Sequence, residues 1–83
     1  MKELVTYLAT HLVDDVDQVR VVQKGSNRSL ILELTVAPAD MGRVIGKNGR
    51  VANAIRTLVN VAAARQGKRV VLEIVDQDGT YHR

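Results

Sequence analysis

The sequence has no cysteine, tryptophan or phenylalanine, and only one proline among its 83 residues. Without cysteine, neither a disulfide framework nor a thiolate metal site can form, which excludes small secreted disulfide scaffolds and favours a reducing compartment. Charged residues interrupt the N-terminal segment and no small-residue cleavage site follows it, so it is neither a signal peptide nor a membrane span. We therefore expect a cytoplasmic protein that does not enter a membrane.

Recognisable catalytic and metal-binding motifs are missing as well. The two histidines, His11 and His82, lie outside any HExxH pattern, and no serine occupies a nucleophile elbow. The acidic run of Asp14, Asp15 and Asp17 lacks the glycine and distal glutamate of a calcium-binding loop, so a solvated turn explains it better. We expect no enzymatic activity, no cofactor and no metal ion.

The chain is long enough for one domain, residues 1–83, and its 46% hydrophobic content can supply a compact core. Hydrophobic spacing predicts the order helix, strand, strand, helix, helix, strand. The expected ranges are 2–13, 16–23, 29–36, 38–44, 51–65 and 69–75, followed by a polar tail from about residue 76. This order predicts an α+β two-layer sandwich, in which three helices cover one face of a three-stranded mixed sheet.

Glycine, asparagine and proline residues mark the turns between these elements. Gly25 and Asn27 suit the left-handed positions of a hairpin turn between the first two strands. Pro38 and Asp40 suit the first turn of a helix, and Gly67 suits the C-terminal cap of the long helix. If the second and last strands are parallel neighbours, the two helices between them form a right-handed crossover.

Charge is distributed unevenly along the chain. The rest of the chain holds all nine acidic residues, whereas every charged residue between Met41 and Leu72 is basic. These basic residues are Arg43, Lys47, Arg50, Arg56, Arg65, Lys68 and Arg69. The segment is either a solvated face balanced by an acidic N-terminal half or a footprint for a polyanion, most often a nucleic acid.

The segment VIGKNGRV, residues 44–51, is the most informative part of the sequence. Two glycines separated by two residues let the backbone turn sharply and approach another backbone closely. N–H groups at the start of the next helix would meet phosphate oxygens, while Arg43, Lys47 and Arg50 add positive charge. An ordinary corner between helices also uses glycines, but the loop lysine and the acid-free surroundings favour the nucleic-acid interpretation.

The segment Ile45-Gly46-Lys47-Asn48-Gly49 resembles the Ile-Gly-x-x-Gly signature of KH domains, which hold about four nucleotides of single-stranded nucleic acid. The element order is similar to the type II, mainly prokaryotic, arrangement of these domains. The likeness covers nearly the whole chain up to about Val75. Among type II domains, the chain most closely resembles the small, free-standing RNA-binding proteins of the bacterial KhpA family.

The resemblance implies that residues 46–49 hold phosphates and that an aliphatic groove holds the bases. Ile45, Val51 and strand residues such as Leu34 would line this groove. With only Tyr7 and Tyr81, the chain lacks the aromatic platform on which many other RNA-binding folds stack bases. The complete set of predicted RNA-binding residues is Arg43, Ile45, Gly46, Lys47, Asn48, Gly49, Arg50 and Val51.

The long helix carries more apolar residues than packing on one sheet requires. Ala54, Leu58 and Val61 either lie exposed, since alanine is a good helix former anywhere, or pack against a partner. KhpA-like proteins self-associate and pair with a larger KH-containing protein, KhpB. The resemblance therefore implies a homodimer, a heterodimer with a KhpB-like partner, or both.

We expect the chain to bind single-stranded RNA as an RNA chaperone or post-transcriptional regulator. The resemblance extends this role, in some bacteria, to cell shape and cell wall biogenesis. The alternative is a protein–protein adaptor or dimerisation module with incidental nucleic-acid binding. Single-stranded DNA also stays open as a ligand, because the sequence does not show how a 2′-hydroxyl would be recognised.

Overall fold

A computed structural model describes residues 1–82 of the chain. The helices within this range are α1 (Lys2–Leu12), α2 (Met41–Ile45) and α3 (Arg50–Arg65). The strands are β1 (Arg20–Gly25), β2 (Ser29–Thr35), β3 (Arg69–Val75) and β4 (Tyr81–His82). Short 3₁₀ turns connect them at Val16–Gln18, Pro38–Asp40 and Lys47–Gly49.

The strands form one mixed sheet in the order β1-β2-β3-β4. β1 runs antiparallel to β2, and β2 runs parallel to β3 with Leu32 opposite Leu72. The predicted α+β fold and the order α-β-β-α-α-β are confirmed, and so is the parallel pairing that requires a crossover. A fourth strand, β4, adds two residues antiparallel to the end of β3. Hydrophobic alternation needs about four residues to be recognised, so the sequence predicts only a polar tail there.

The core lies between the helices and the inner face of the sheet. Along β2, Leu30, Leu32 and Leu34 are buried while Ile31 is 41% exposed, as the alternation in the sequence predicts. β3 repeats this pattern, with Val70, Leu72 and Ile74 buried. The helices complete the core with Val5, Ala9, Val44, Ala52, Ile55, Val59 and Ala63.

Two elements differ from the sequence expectation in their limits. The first strand covers Arg20–Gly25 and not residues 16–23, because Val16–Gln18 closes into a 3₁₀ turn and the strand continues two residues further into the hairpin. The helix expected over 38–44 is split into the 3₁₀ turn Pro38–Asp40 and the α-helix that follows it. The other helices and strands of the predicted set lie within one residue of their expected limits.

The turn between β1 and β2 differs from the sequence expectation in the residues that close it. Gly25 has a φ of 100°, as a left-handed position requires, but Asn27 has no positive φ. Ser26 closes the turn instead. Its N–H donates to the carbonyl of Ser29 at 3.0 Å, and its hydroxyl accepts the N–H of Ser29 at 3.2 Å. A serine that bonds on both sides supplies the closure that the asparagine was expected to provide.

Asp40 joins the end of α1 to the start of α2. Its side chain is almost fully buried, and its two oxygens accept the N–H groups of Asp14 at 3.2 Å and Asp15 at 3.1 Å. Arg43, one turn later, lies 3.5 Å from Asp40 and 3.0 Å from Asp14. The buried carboxylate is therefore both hydrogen-bonded and paired with a cation, which is what a buried charge requires.

We expect Asp40→Ala to lower the free energy of unfolding by about 1–3 kcal/mol, because two part-buried N–H groups lose their acceptor. Urea denaturation followed by circular dichroism measures the change. Asp15→Ala is the matched control, since it removes an exposed carboxylate from the same turn while leaving the backbone N–H in place. Equal stability of the two variants would contradict the role assigned to Asp40.

Candidate nucleic-acid interface

Gly46 ends α2 in a backbone conformation that only glycine adopts readily. Its φ is 75° and its ψ is 172°. A Cβ atom at this position would lie 2.8 Å from the backbone nitrogen of Val51 and would also collide with the Val51 side chain. The glycine therefore allows the end of α2 to pack directly against the first turn of α3.

Asn48 and Gly49 continue the loop in the left-handed region. Asn48 has a φ of 56° and Gly49 a φ of 76°, and asparagine is among the few side chains that tolerate this conformation. The N–H of Gly49 donates to the carbonyl of Gly46 at 3.1 Å. The N–H groups of Lys47 and Asn48 have no backbone or side-chain acceptor within residues 1–82. The loop thus presents two unpaired donors next to the positive end of the α3 dipole.

The four basic and polar side chains predicted for this site do not share one environment. Lys47, Asn48 and Arg50 are exposed on the loop and the first turn of α3. Arg43 is 56% exposed, but its guanidinium is engaged by the carboxylates of Asp14 and Asp40. Arg43 therefore contributes less net positive charge to the loop than the sequence alone indicates.

An open groove of about 490 Å³ lies beside the loop, between α3 and β3. One wall consists of Asn53, Arg56 and Asn60 of α3, and the other consists of residues 70–73 of β3. Asn53 also borders the loop, since its amide nitrogen lies 4.0 Å from where a Cβ on Gly49 would stand. The groove and the loop therefore form one continuous surface.

The β3 wall of the groove, residues 70–73, is the part of that strand edge that β4 leaves uncovered. The guanidinium Nε of Arg56 donates to the carbonyl of Leu72 at 3.1 Å, which shows that this carbonyl points away from β2. Because backbone groups alternate in direction along a strand, Val70 shares this edge. The edge thus offers backbone donors and acceptors to an extended ligand.

The sequence does not single out Asn53 and Asn60, and it marks Arg56 only as one of the basic residues of the segment 41–72. The three residues follow one another at helical spacing and share one face of α3, and this spacing is the signal that the sequence carries for the two asparagines. Their role depends on knowing that the part of β3 that β4 leaves uncovered lies beside this face. That knowledge comes from the tertiary structure.

Six basic residues of the segment 41–72 lie in the loop and in the two elements that form the groove, or in the turn that joins these elements. Lys47 and Arg50 lie at the loop end, and Arg56 lies within the groove. Arg65, Lys68 and Arg69 lie at the turn between α3 and β3, which is the opposite end. The charge asymmetry of the sequence therefore places basic residues near both ends of the groove and Arg56 within it, with Glu73 as an acidic residue in the lining.

The aliphatic residues expected in the groove are only partly available. Ile45 and Val51 are half-buried and pack against the core next to the loop. Leu34 is fully buried and offers no surface to a ligand, so its expected place in the groove is wrong. Its side chain lies on the inner face of β2, beneath the helices, where alternation places every second residue.

The three residues of the possible partner interface lie on a separate face of α3. Leu58 and Val61 are each 53% exposed, and Ala54 is exposed beside them. With about 100° of rotation per residue, this stripe points away both from the core and from the groove. The structure thus places the apolar stripe and the groove on the same helix without overlap.

Within residues 1–82, no helix is long and apolar enough to cross a membrane. The same part of the chain contains no group of three or more side chains that could hold a metal ion.

Comparisons with known proteins show the family to which the chain belongs. The family model described as "KhpA/KhpB, KH domain" matches residues 2–74. The "RNA-binding protein KhpA" of Clostridium acetobutylicum is 53% identical over 75 residues, which cover 90% of this chain and 100% of the relative. The protein with the same name from Caldanaerobacter subterraneus is 55% identical, over 90% of this chain and 100% of its own length. The one from Aquifex aeolicus is 45% identical, over 92% of this chain and 96% of its own length.

No solved structure matches the chain significantly. The family model spans α1 to nearly the end of β3, and therefore includes the loop, both walls of the groove and the exposed stripe of α3. The relatives are covered over almost their entire length. The chain belongs to the KhpA/KhpB family of KH domains.

Proposed function

We propose that this chain binds single-stranded RNA, with the loop at residues 46–49 holding the phosphate backbone and the α3–β3 groove holding the bases. The observation that carries the proposal is the pair of unpaired N–H groups at Lys47 and Asn48 beside an open strand edge. The names of the relatives, all RNA-binding proteins, support RNA as the ligand.

The loop would bind phosphate through backbone geometry and charge together. The N–H groups of Lys47 and Asn48 would donate to phosphate oxygens, and the side chains of Lys47 and Arg50 would add positive charge. Gly46 keeps the loop in this shape, because a Cβ atom at its position would collide with Val51. About four nucleotides fit such a loop and the groove beside it.

The groove would hold bases by hydrogen bonds to their edges. Asn53 and Asn60 each carry an amide donor and an acceptor, and the exposed β3 edge adds backbone groups. Ile45 and Val51 supply apolar contacts where the groove meets the loop. Because none of the described residues that line the groove is aromatic, we expect no stacking worth about 1–3 kcal/mol per base from them, and one domain should bind weakly and with modest specificity.

Weak binding by one domain favours assembly with a partner. We propose that the exposed stripe Ala54, Leu58 and Val61 joins two copies of this chain, or this chain to a larger KH-containing protein of the KhpB kind. Joining two weak sites raises the effective affinity for one RNA strand. Such an assembly suits an RNA chaperone or post-transcriptional regulator better than a highly sequence-specific binder. Roles in cell shape and cell wall biogenesis would follow from the RNAs that it binds.

Reversing the charge of the loop should abolish most RNA binding. We expect Lys47→Asp with Asn48→Asp to weaken binding of a labelled single-stranded RNA by about tenfold or more, because carboxylates replace groups that face phosphate. The slope of log affinity against log salt should fall by about 0.7 for each phosphate that the variant no longer neutralises. Fluorescence anisotropy at low and moderate salt measures both quantities.

The control is Arg28→Asp with Asn27→Asp, which makes the same charge change in the exposed hairpin turn at the other end of β2. Aspartate tolerates the left-handed conformation of Asn48, so circular dichroism should show both variants folded. Equal losses in the two variants would mean that net charge, and not the loop, determines binding. Equal binding by the loop variant and the wild type would remove the loop from the mechanism.

Self-association should depend on the exposed stripe of α3. We expect Leu58→Asp to raise the dimer dissociation constant by about tenfold or more, since a charge at the centre of an apolar interface costs about 2 kcal/mol or more. Sedimentation velocity over a range of concentrations measures it. Val16→Asp is the control, because Val16 is also about half exposed but lies in the turn before β1. A wild-type chain that is monomeric at every concentration would contradict a homodimer.

A further inference from the structure

The chain folds back on itself after β3 and returns along the same sheet. In β4, Tyr81 pairs with Val75 and His82 pairs with Ile74. The turn between the strands is closed by the N–H of Asp76, which donates to the carbonyl of Thr80 at 2.9 Å. The family match ends at residue 74, so this returning strand lies beyond the part of the chain that the family model describes.

Side-chain contacts anchor the returning segment to other elements. The hydroxyl of Tyr81 donates to the Glu33 carboxylate of β2 at 2.6 Å, across the outer face of the sheet. The same carboxylate lies 3.2 Å from the ammonium group of Lys24 on β1. The amide of Gln77 donates to the side-chain oxygen of Gln18 at 3.2 Å. Besides its pairing with β3, the returning segment is therefore held to β2 through Tyr81 and to the 3₁₀ turn Val16–Gln18 through Gln77, and it is more than a local hairpin.

β4 occupies the edge of β3 that also forms the groove. The carbonyl of Leu72 points to the groove, since it accepts the Arg56 guanidinium, and alternation places Val70 and Ile74 on the same side. Val70 and Leu72 line the groove, whereas Ile74 is paired with His82. The open part of the edge thus stops where β4 begins.

The covered position lies at the loop end of the groove. α3 and β3 run in opposite directions, because a short turn joins Arg65 to Arg69 and Arg56 contacts Leu72 halfway along both elements. Asn53, one turn before Arg56, therefore lies toward Ile74 and borders Gly49 of the loop. β4 therefore covers the edge residue that an RNA strand leaving the loop would meet first.

We infer that β4 is a built-in competitor for the groove, which takes the Ile74 edge position from single-stranded RNA and so limits how many bases the domain holds. This inference rests on the proposed function of the groove and loop. The acidic side chains of Asp76 and Asp78 in the connecting turn strengthen the competition, because carboxylates at this end repel phosphate. Release of β4 would open one further base position beside the loop.

The anchor can be measured without RNA. The hydrogen bond to Glu33 raises the pKa of Tyr81, with the nearby charges of Glu33 and Glu73 acting in the same direction. The bonds from Tyr81 and Lys24 lower the pKa of Glu33, so the anchor is present above the ordinary glutamate range and is lost as the pH falls through the lowered pKa.

In a Tyr7→Phe background, where Tyr81 is the only tyrosine, ultraviolet absorbance titration should give a Tyr81 pKa above the ordinary tyrosine value. Adding Glu33→Gln should move the Tyr81 pKa back toward that value. An unshifted Tyr81 pKa in the background protein would contradict the anchor and with it the competing strand.

One double variant allows RNA binding to be compared with β4 held in place and with β4 released. Val75 and Tyr81 face each other directly, and the chain has no native cysteine, so Val75→Cys with Tyr81→Cys places one disulfide between β3 and β4. Oxidation forms the disulfide and holds β4 against β3. Reduction breaks the disulfide, and β4 is then released, because the variant no longer has the tyrosine that bonds to Glu33. We expect the reduced form to bind a labelled single-stranded RNA of about eight nucleotides about two- to tenfold more tightly, as one or two added hydrogen bonds would allow.

The cysteine-free wild type is the control for the redox agents, and its RNA affinity should not change between them. Tyr81→Ala should bind RNA more tightly than the wild type, whereas Tyr7→Ala, which changes an exposed tyrosine of α1, should not. Equal RNA affinity of the oxidised and reduced forms would overturn the role of β4 and leave the proposed function intact. Absence of RNA binding in the wild type and in both forms would overturn the two together.

Discussion

The parallel pairing of β2 with β3 is the constraint on which the candidate site depends. Parallel neighbours cannot be joined by a tight turn, so the chain must cross one face of the sheet before it returns. Here the crossover consists of α2, the loop at residues 46–49, and α3. The loop is the point where the crossover changes direction, and the groove exists because α3 then runs back beside β3.

Two local features hold this crossover in shape. α2 has only five residues, too few to be stable as an isolated helix, so contacts at its ends must hold it. At its start, the buried carboxylate of Asp40 binds the backbone that follows α1. At its end, Gly46 permits close contact with Val51 of α3. The loop therefore projects from a rigid corner, and its unpaired N–H groups are already in place before a ligand arrives.

The sequence predicts best those elements that bury one face. β2, β3 and α3 each alternate between buried and exposed positions with a regular period, so hydrophobic spacing alone locates them within one residue. β4 has only two residues and leaves no such period. The prediction for Leu34 is wrong because hydrophobic spacing shows that an aliphatic residue is buried, but does not show whether it lies in the core or in a binding groove. Asn53 and Asn60 could not be predicted, because the positions of polar residues along a helix do not show which of them face a strand edge.

α3 combines three surfaces on one helix, and this arrangement is what a small binding module requires. Its buried stripe, with Ile55 and Val59, holds the fold together. Its polar stripe, with Asn53 and Asn60, forms a wall of the groove. Its exposed stripe, with Leu58 and the neighbouring apolar residues, stays open to solvent. Because the stripes point in different directions, a partner bound on one leaves the groove accessible, so assembly and RNA binding need not compete for the same helix.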